Sequence, residues 1–189
     1  MTARLDARAK RSQRALLKAG LALLNTNPEA SLSDIATHAG VGRTTLYRQY
    51  ETREKLIAAI AVDCLETIDE VTAPIEREAR SAMDAVRMLF ELAMPLTQEF
   101  QFLMNLEQLA ESYPEIAEIN EKQKQDLVEV VEYGKRNKEI DSSLPTSWVV
   151  NLIEGLFYIG WQQQTQEQSS ADDVAQMAYM VFSQGVIRR

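Results

Sequence analysis

The chain has 189 residues, 46% of them apolar and 25% charged, with a formal net charge of −8. That composition excludes a disordered chain, and the longest purely apolar run, Leu56 to Val62, is far short of a bilayer span. One cysteine, Cys64, excludes an internal disulfide framework, and no secretory signal is expected in the charged N-terminal stretch, so the expected location is a reducing cytoplasm. The charge is unevenly divided. Residues 1–56 carry ten Lys or Arg against five acids, or +5, which leaves −13 on residues 57–189. Either the basic end meets a polyanion or its bases form a solvated helix face, and charge alone leaves both readings open.

Ala, Leu, Glu, Gln and Met dominate, β-branched runs are few, and prolines at 28, 74, 95, 114 and 145 act as breakers. An all-α chain of about nine helices follows, over 7–25, 32–39, 43–50, 53–72, 81–94, 96–112, 115–137, 146–164 and 171–187. The stretch MTARLDARAKRSQR, residues 1–14, overlaps the first of these and reads either as a mobile basic arm along DNA or as a solvated start of the helix. Gly20 weakens that helix unless close packing requires it. In SLSD, Ser31 is placed to cap the next helix, with Asp34 reaching back to the cap. Ile35, Ala36 and Ala39 then face inward, Gly40 stops the helix in a left-handed conformation, and Val41 fills the turn. Leu46 is the inward residue of the following short helix, and Tyr50 is an aromatic that pins it. Two helices crossing steeply need this pattern of small residue, glycine and apolar corner. Arg43, Thr44, Thr45, Tyr47, Arg48 and Gln49 are left outside the core, a set of donors suited to phosphates and base edges.

The stretch SLSDIATHAGVGRTTLYRQYETREKL resembles the helix-turn-helix of the tetracycline-repressor (TetR) family of bacterial transcription regulators. The matching positions are Ile35-Ala36, Ala39-Gly40-Val41, Thr45-Leu46-Tyr47, Tyr50, and Arg53-Glu54 followed by Leu56. The likeness is strong over about residues 12–60 and weaker in GKRNKEIDSSLP (134–145) and MAYMVFSQGVIRR. Gly42 stands where the family often has serine, and Lys138 replaces a common turn glycine, with Asn137 expected to take the left-handed role. The resemblance implies a three-helix DNA-binding domain at 1–52 and a larger ligand-binding and dimerisation domain at 53–189. It makes Arg43, Thr44, Thr45 and Arg48 the readers of major-groove bases, and Ser31, Tyr47, Gln49 and Arg53 the phosphate contacts. Double-stranded operator DNA is the implied partner.

Between residues 83 and 106 lies a dense run of methionine and phenylalanine that fills a core or lines an adaptable cavity. The resemblance implies a small-molecule pocket in this domain, and Phe90, Met94, Glu107, Tyr158 and Trp161 are placed near it. The expected effector is largely apolar or aromatic. Residues 147–161 are apolar around most of their circumference, with Trp148, Leu152, Leu156 and Ile159 on one face. Such a helix must be covered on both sides. Residues 171–187 add Val174, Met177, Ala178, Val181 and Gly185. The resemblance implies that these two helices form a four-helix homodimer interface; the residues alone also allow both faces to pack within one subunit.

Enzymatic chemistry is not expected. There is no Ser-His-Asp set, Cys-His pair, metal-ligand spacing or phosphate loop, and the single His38 falls in the motif already assigned. Accordingly no cofactor, no metal and no membrane partner is expected. The competing reading is a helical interaction module that keeps the helix-turn-helix without binding an operator.

Overall fold

The structure, a computed structural model, describes the backbone of residues 2–104 and 114–187 and the side chains of 12–104 and 116–187. Among these residues there is no strand. The helices are α1 (Thr2–Thr26), α2 (Leu32–His38), α3 (Arg43–Gln49), α4 (Arg53–Thr72), α5 (Pro74–Glu78), α6 (Ala82–Ala93), α7 (Thr97–Met104), α8 (Pro114–Arg136), α9 (Thr146–Glu167) and α10 (Ala171–Val186). The all-α expectation holds, and three of the five prolines fall at helix starts: Pro74 and Pro114 open α5 and α8, and Pro145 caps α9.

Three local expectations change. The short α5 was not foreseen. The helix expected to end at residue 164 runs on to Glu167, where Gln168 closes it with φ of 55°; Gln and Glu favour helix. Residues 2–11 continue α1, so the mobile-arm reading gives way to the extended first helix.

The chain divides into two compact units, one of residues up to Leu65 together with Gln98–Ala117, the other of Glu66–Thr97 together with Glu118 onward. In the first, Leu16, Ile35, Leu46, Leu56 and Ile60 are fully buried. A Cβ on Gly20 would lie 2.5 Å from Cδ1 of Ile60 and 3.7 Å from Cγ2 of Ile35. Close packing of α1 on α2 and α4 is therefore what the glycine serves. Cys64 is buried too, and burial, with Glu99 and Asp63 adding to it, pushes its thiol pKa far above the ordinary range. It is an inert core residue.

The second unit is built around Phe90, which is fully buried and meets Phe157 at 5.0 Å and Phe182 at 6.3 Å between ring centroids. Val131, Ile140, Val149, Ile153 and Val174 complete the same core. Ser81 caps α6 by accepting from the amide of Asp84, while Glu139 accepts from that of Met83 at 3.1 Å. The turn after α8 has two nested bonds, Glu139 N–H to Gly134 O (2.9 Å) and Lys138 N–H to Lys135 O (3.1 Å). Lys138 itself has φ of 64°, so it and not Asn137 takes the left-handed position.

Candidate nucleic-acid interface

Local chemistry fixes α2 and α3 before any packing does. Ser31 Oγ accepts from the Asp34 amide at 3.2 Å, and Asp34 Oδ2 accepts from the Ser31 amide at 2.9 Å and its hydroxyl at 2.6 Å. These bonds, with the nearby charge of Arg43 adding a smaller effect, hold the Asp34 carboxyl below its ordinary pKa. At the other end, Val41 N–H reaches Ala36 O at 2.9 Å and Gly40 N–H reaches Thr37 O at 3.1 Å. Gly40 has φ of 64°, the left-handed conformation that glycine adopts without penalty. The turn is therefore closed by paired backbone bonds, and α3 starts two residues later with Gly42 as an extended cap that supplies no side-chain bond.

From α3 the core takes only Leu46, fully buried, and at its end Tyr50. Burial pushes the Tyr50 phenol pKa up; the Gln13 side chain opposes that shift and the Asp63 charge adds slightly to it. Arg43, Thr44, Tyr47 and Arg48 are exposed, and Thr45 and Gln49 are half-buried. Tyr47 is a large aromatic left 50% exposed. The result is a short helix with an apolar anchor beneath and cationic, hydroxyl and phenol groups above. A surface of that kind donates hydrogen bonds to phosphates and base edges.

Two of the expected phosphate contacts also have structural work within the unit. Ser31 is engaged in its cap. Arg53 donates from Nε to the carbonyl of Ala30 at 3.0 Å, and from Nη2 to the carbonyl of Pro28. The first residue of α4 thereby holds the loop that delivers the chain into α2. His38 is exposed, and no cluster of three or more metal-ligating side chains occurs among the described residues.

Residues 16–60, which contain this whole arrangement, match the family of bacterial regulatory proteins of the tetR type. This N-terminal segment is similar to the TetR family. The chain is 26% identical over 160 residues, spanning 81% of this chain and 79% of the relative, to the HTH-type transcriptional repressor LfrR of Mycolicibacterium smegmatis. The crystal structure of the TetR-like regulator LfrR from Mycobacterium smegmatis in complex with proflavine has a similar fold (TM-score 0.77, 24% identity, 97% of this chain and 99% of that one). So does the ketosteroid transcriptional regulator KstR2 of Mycobacterium tuberculosis (TM-score 0.81, 16% identity, 94% and 95%). The TetR family consists of DNA-binding transcription regulators, and α2–α3 is its helix-turn-helix.

In the second unit, the expected effector residues separate into two environments. Phe90 and Met94 are buried in the core. Met94 lies against Gly160, where an added Cβ would be 2.6 Å from its Sδ. Tyr158 is 40% exposed and meets Trp161 at 5.8 Å between rings, and Trp161 Nε1 is buried without a hydrogen-bond partner. Glu107 lies outside the described residues.

The expected interface residues divide as well. Trp148 (62% exposed), Ile159, Met177 and Val181 are large exposed apolar side chains, Gly185 is exposed, and Leu152 is half-buried. Leu156, Val174 and Ala178 point the other way, into the core of their own unit, and are withdrawn from the interface set. Met180, 52% exposed, is a further large apolar side chain on the surface of α10. It follows Met177 by three residues, so the two lie side by side on that helix.

Proposed function

We propose that this chain is a TetR-family regulator, a dimeric repressor that leaves its operator when a small molecule binds its second unit. The observation that carries the reading is the exposed donor face of α3, Arg43, Thr44, Tyr47 and Arg48, above the buried Leu46. In this reading Arg43, Thr44, Thr45 and Arg48 read bases, and Tyr47, Gln49 and the outer N–H groups of Arg53 meet phosphates, with Ser31 at the edge. Two-fold pairing through Trp148, Leu152, Ile159, Met177, Met180, Val181 and Gly185 would set two recognition helices about one DNA turn apart, roughly 34–36 Å. Exposed apolar side chains of this size and number support such pairing.

Release follows from a population shift. An effector must bind the released state more tightly than the DNA-bound one, because equal binding shifts nothing. The unpaired indole N–H of Trp161 supports an effector that is aromatic or apolar and carries a hydrogen-bond acceptor. The repressor LfrR, crystallised with proflavine, makes that compound a sensible first probe. The test is a gel-shift titration with DNA flanking the gene itself, repeated with an effector panel starting from proflavine. A retarded band that disappears with one compound supports the whole reading. A band that no compound alters removes the effector part, and no band at low salt removes operator binding.

A further inference from the structure

The turn from α3 into α4 carries charges that the donor face of α3 does not account for. All of its residues belong to the first unit. Glu51 is the third residue after Arg48, and the buried, extended Tyr50 stands between it and the end of α3. Thr52 then caps α4, its hydroxyl accepting from the Lys55 amide at 3.2 Å. Two bases fall in the first turn of α4, and each is already engaged. Arg53 gives Nε and Nη2 to the carbonyls of Ala30 and Pro28. Lys55 gives its ammonium to Oε2 of Glu51, four residues earlier, in an ion pair.

Glu51 thus sets an acid at the edge of a surface of cationic, hydroxyl and phenol donors. The hydrogen bond and charge of Lys55 hold its carboxyl below the ordinary range, so it stays ionised. Both side chains are mostly in water, Lys55 at 57% and Glu51 at 75% exposed. An ion pair so exposed adds little to the stability of the fold. What Glu51 offers Lys55 is an anionic oxygen that accepts a hydrogen bond, the same chemistry that a DNA phosphate offers. The flexible four-carbon stem of lysine lets the ammonium exchange one acceptor for the other.

We propose that Glu51 is an internal substitute for a DNA phosphate, occupying Lys55 and thereby lowering the affinity of the first unit for DNA of any sequence. A backbone phosphate gains Lys55 only by displacing Glu51. One contact is withheld from the part of binding that phosphates supply, while the base-reading donors of α3 keep theirs. The proposal deepens the operator-binding reading of this unit and rests on it.

The experiment is a salt titration of DNA binding, followed by fluorescence anisotropy on the whole chain. It compares wild type, Glu51→Gln, Lys55→Met and the double variant on the DNA flanking the gene and on a duplex of unrelated sequence. Glu51→Gln should tighten binding to both duplexes by the same factor, roughly fivefold at about 0.1 M salt. It should also steepen the log–log salt dependence by about 0.9 for each subunit bound, the value for one added phosphate contact. In the Lys55→Met background the same substitution should change affinity by less than about twofold, because the contact it would free no longer exists. An equal gain with and without Lys55 would make Glu51 a general repulsive charge, and an unchanged salt slope would mean that no phosphate contact is withheld. Either result overturns the proposal. A wild type that binds neither duplex at low salt would remove the operator-binding reading itself, and the proposal with it.

Discussion

Arg53 Nε lies 3.0 Å from the carbonyl oxygen of Ala30, and with its second bond to Pro28 it fastens the start of α4 to the loop ahead of α2. The planar guanidinium serves both carbonyls because its donors are held in a fixed fork. Replacement by methionine keeps most of the stem but leaves those carbonyls to water. Arg53→Met should lower stability by about 1–2 kcal/mol in denaturant unfolding, and Arg53→Lys should recover less than half of that loss. DNA affinity should fall with both.

The cap of α2 makes a separate prediction. Ser31→Ala removes one acceptor and one donor and should cost about 1 kcal/mol, read as a lower unfolding midpoint. The Asp34 carboxyl is held below its ordinary value of 3.8 chiefly by the Ser31 hydroxyl and amide. A depressed carboxyl contributes stability that is complete above that ordinary value and is lost as pH falls through its lowered one. Acid unfolding of the wild type should therefore include a contribution below pH 3.8 that shrinks in Ser31→Ala. An identical acid limb in both proteins would contradict the cap's electrostatic role.

Gly134 supplies the third. A Cβ there would stand 2.8 Å from the Cβ of Ala82 and 2.8 Å from Cδ1 of Ile140. The Ala82 atom cannot rotate away, since it is fixed to the α6 backbone. Gly134→Ala should destabilise by about 1–3 kcal/mol despite alanine's better helix propensity. Thermal unfolding measures it, and a neutral or stabilising result would mean that α6 and α8 are less closely held.

The helix-turn-helix was legible because each of its signals acts over a few residues. Ser31 and Asp34 cap, Gly40 turns, Leu46 and Tyr50 anchor, and none depends on a distant partner. Where distant packing decides, the sequence is ambiguous. Lys138 adopts a left-handed conformation against its own preference, and the buried Ile140 two residues later holds the turn in place. Leu156, Val174 and Ala178 have the same apolar character as Ile159 and Val181, and only the packed core separates inward from outward. The hydrogen bond from Asn25 to Gln98 spans 73 residues of sequence, and no local pattern announces it.

The proposed function stands on DNA binding by the exposed face of α3, and Arg43 is its sharpest probe. A guanidinium that contacts a guanine edge contributes about 1–3 kcal/mol of discrimination, or roughly 5- to 150-fold in affinity. The measurement is a gel-shift titration of wild type and Arg43→Ala on the DNA flanking the gene, at several salt concentrations, with the oligomeric state checked by ultracentrifugation. Wild type should bind with a steep salt dependence, and Arg43→Ala should lose affinity within that range while sedimenting as wild type does. Equal affinity of the two proteins would contradict the assignment of α3 as the reading helix.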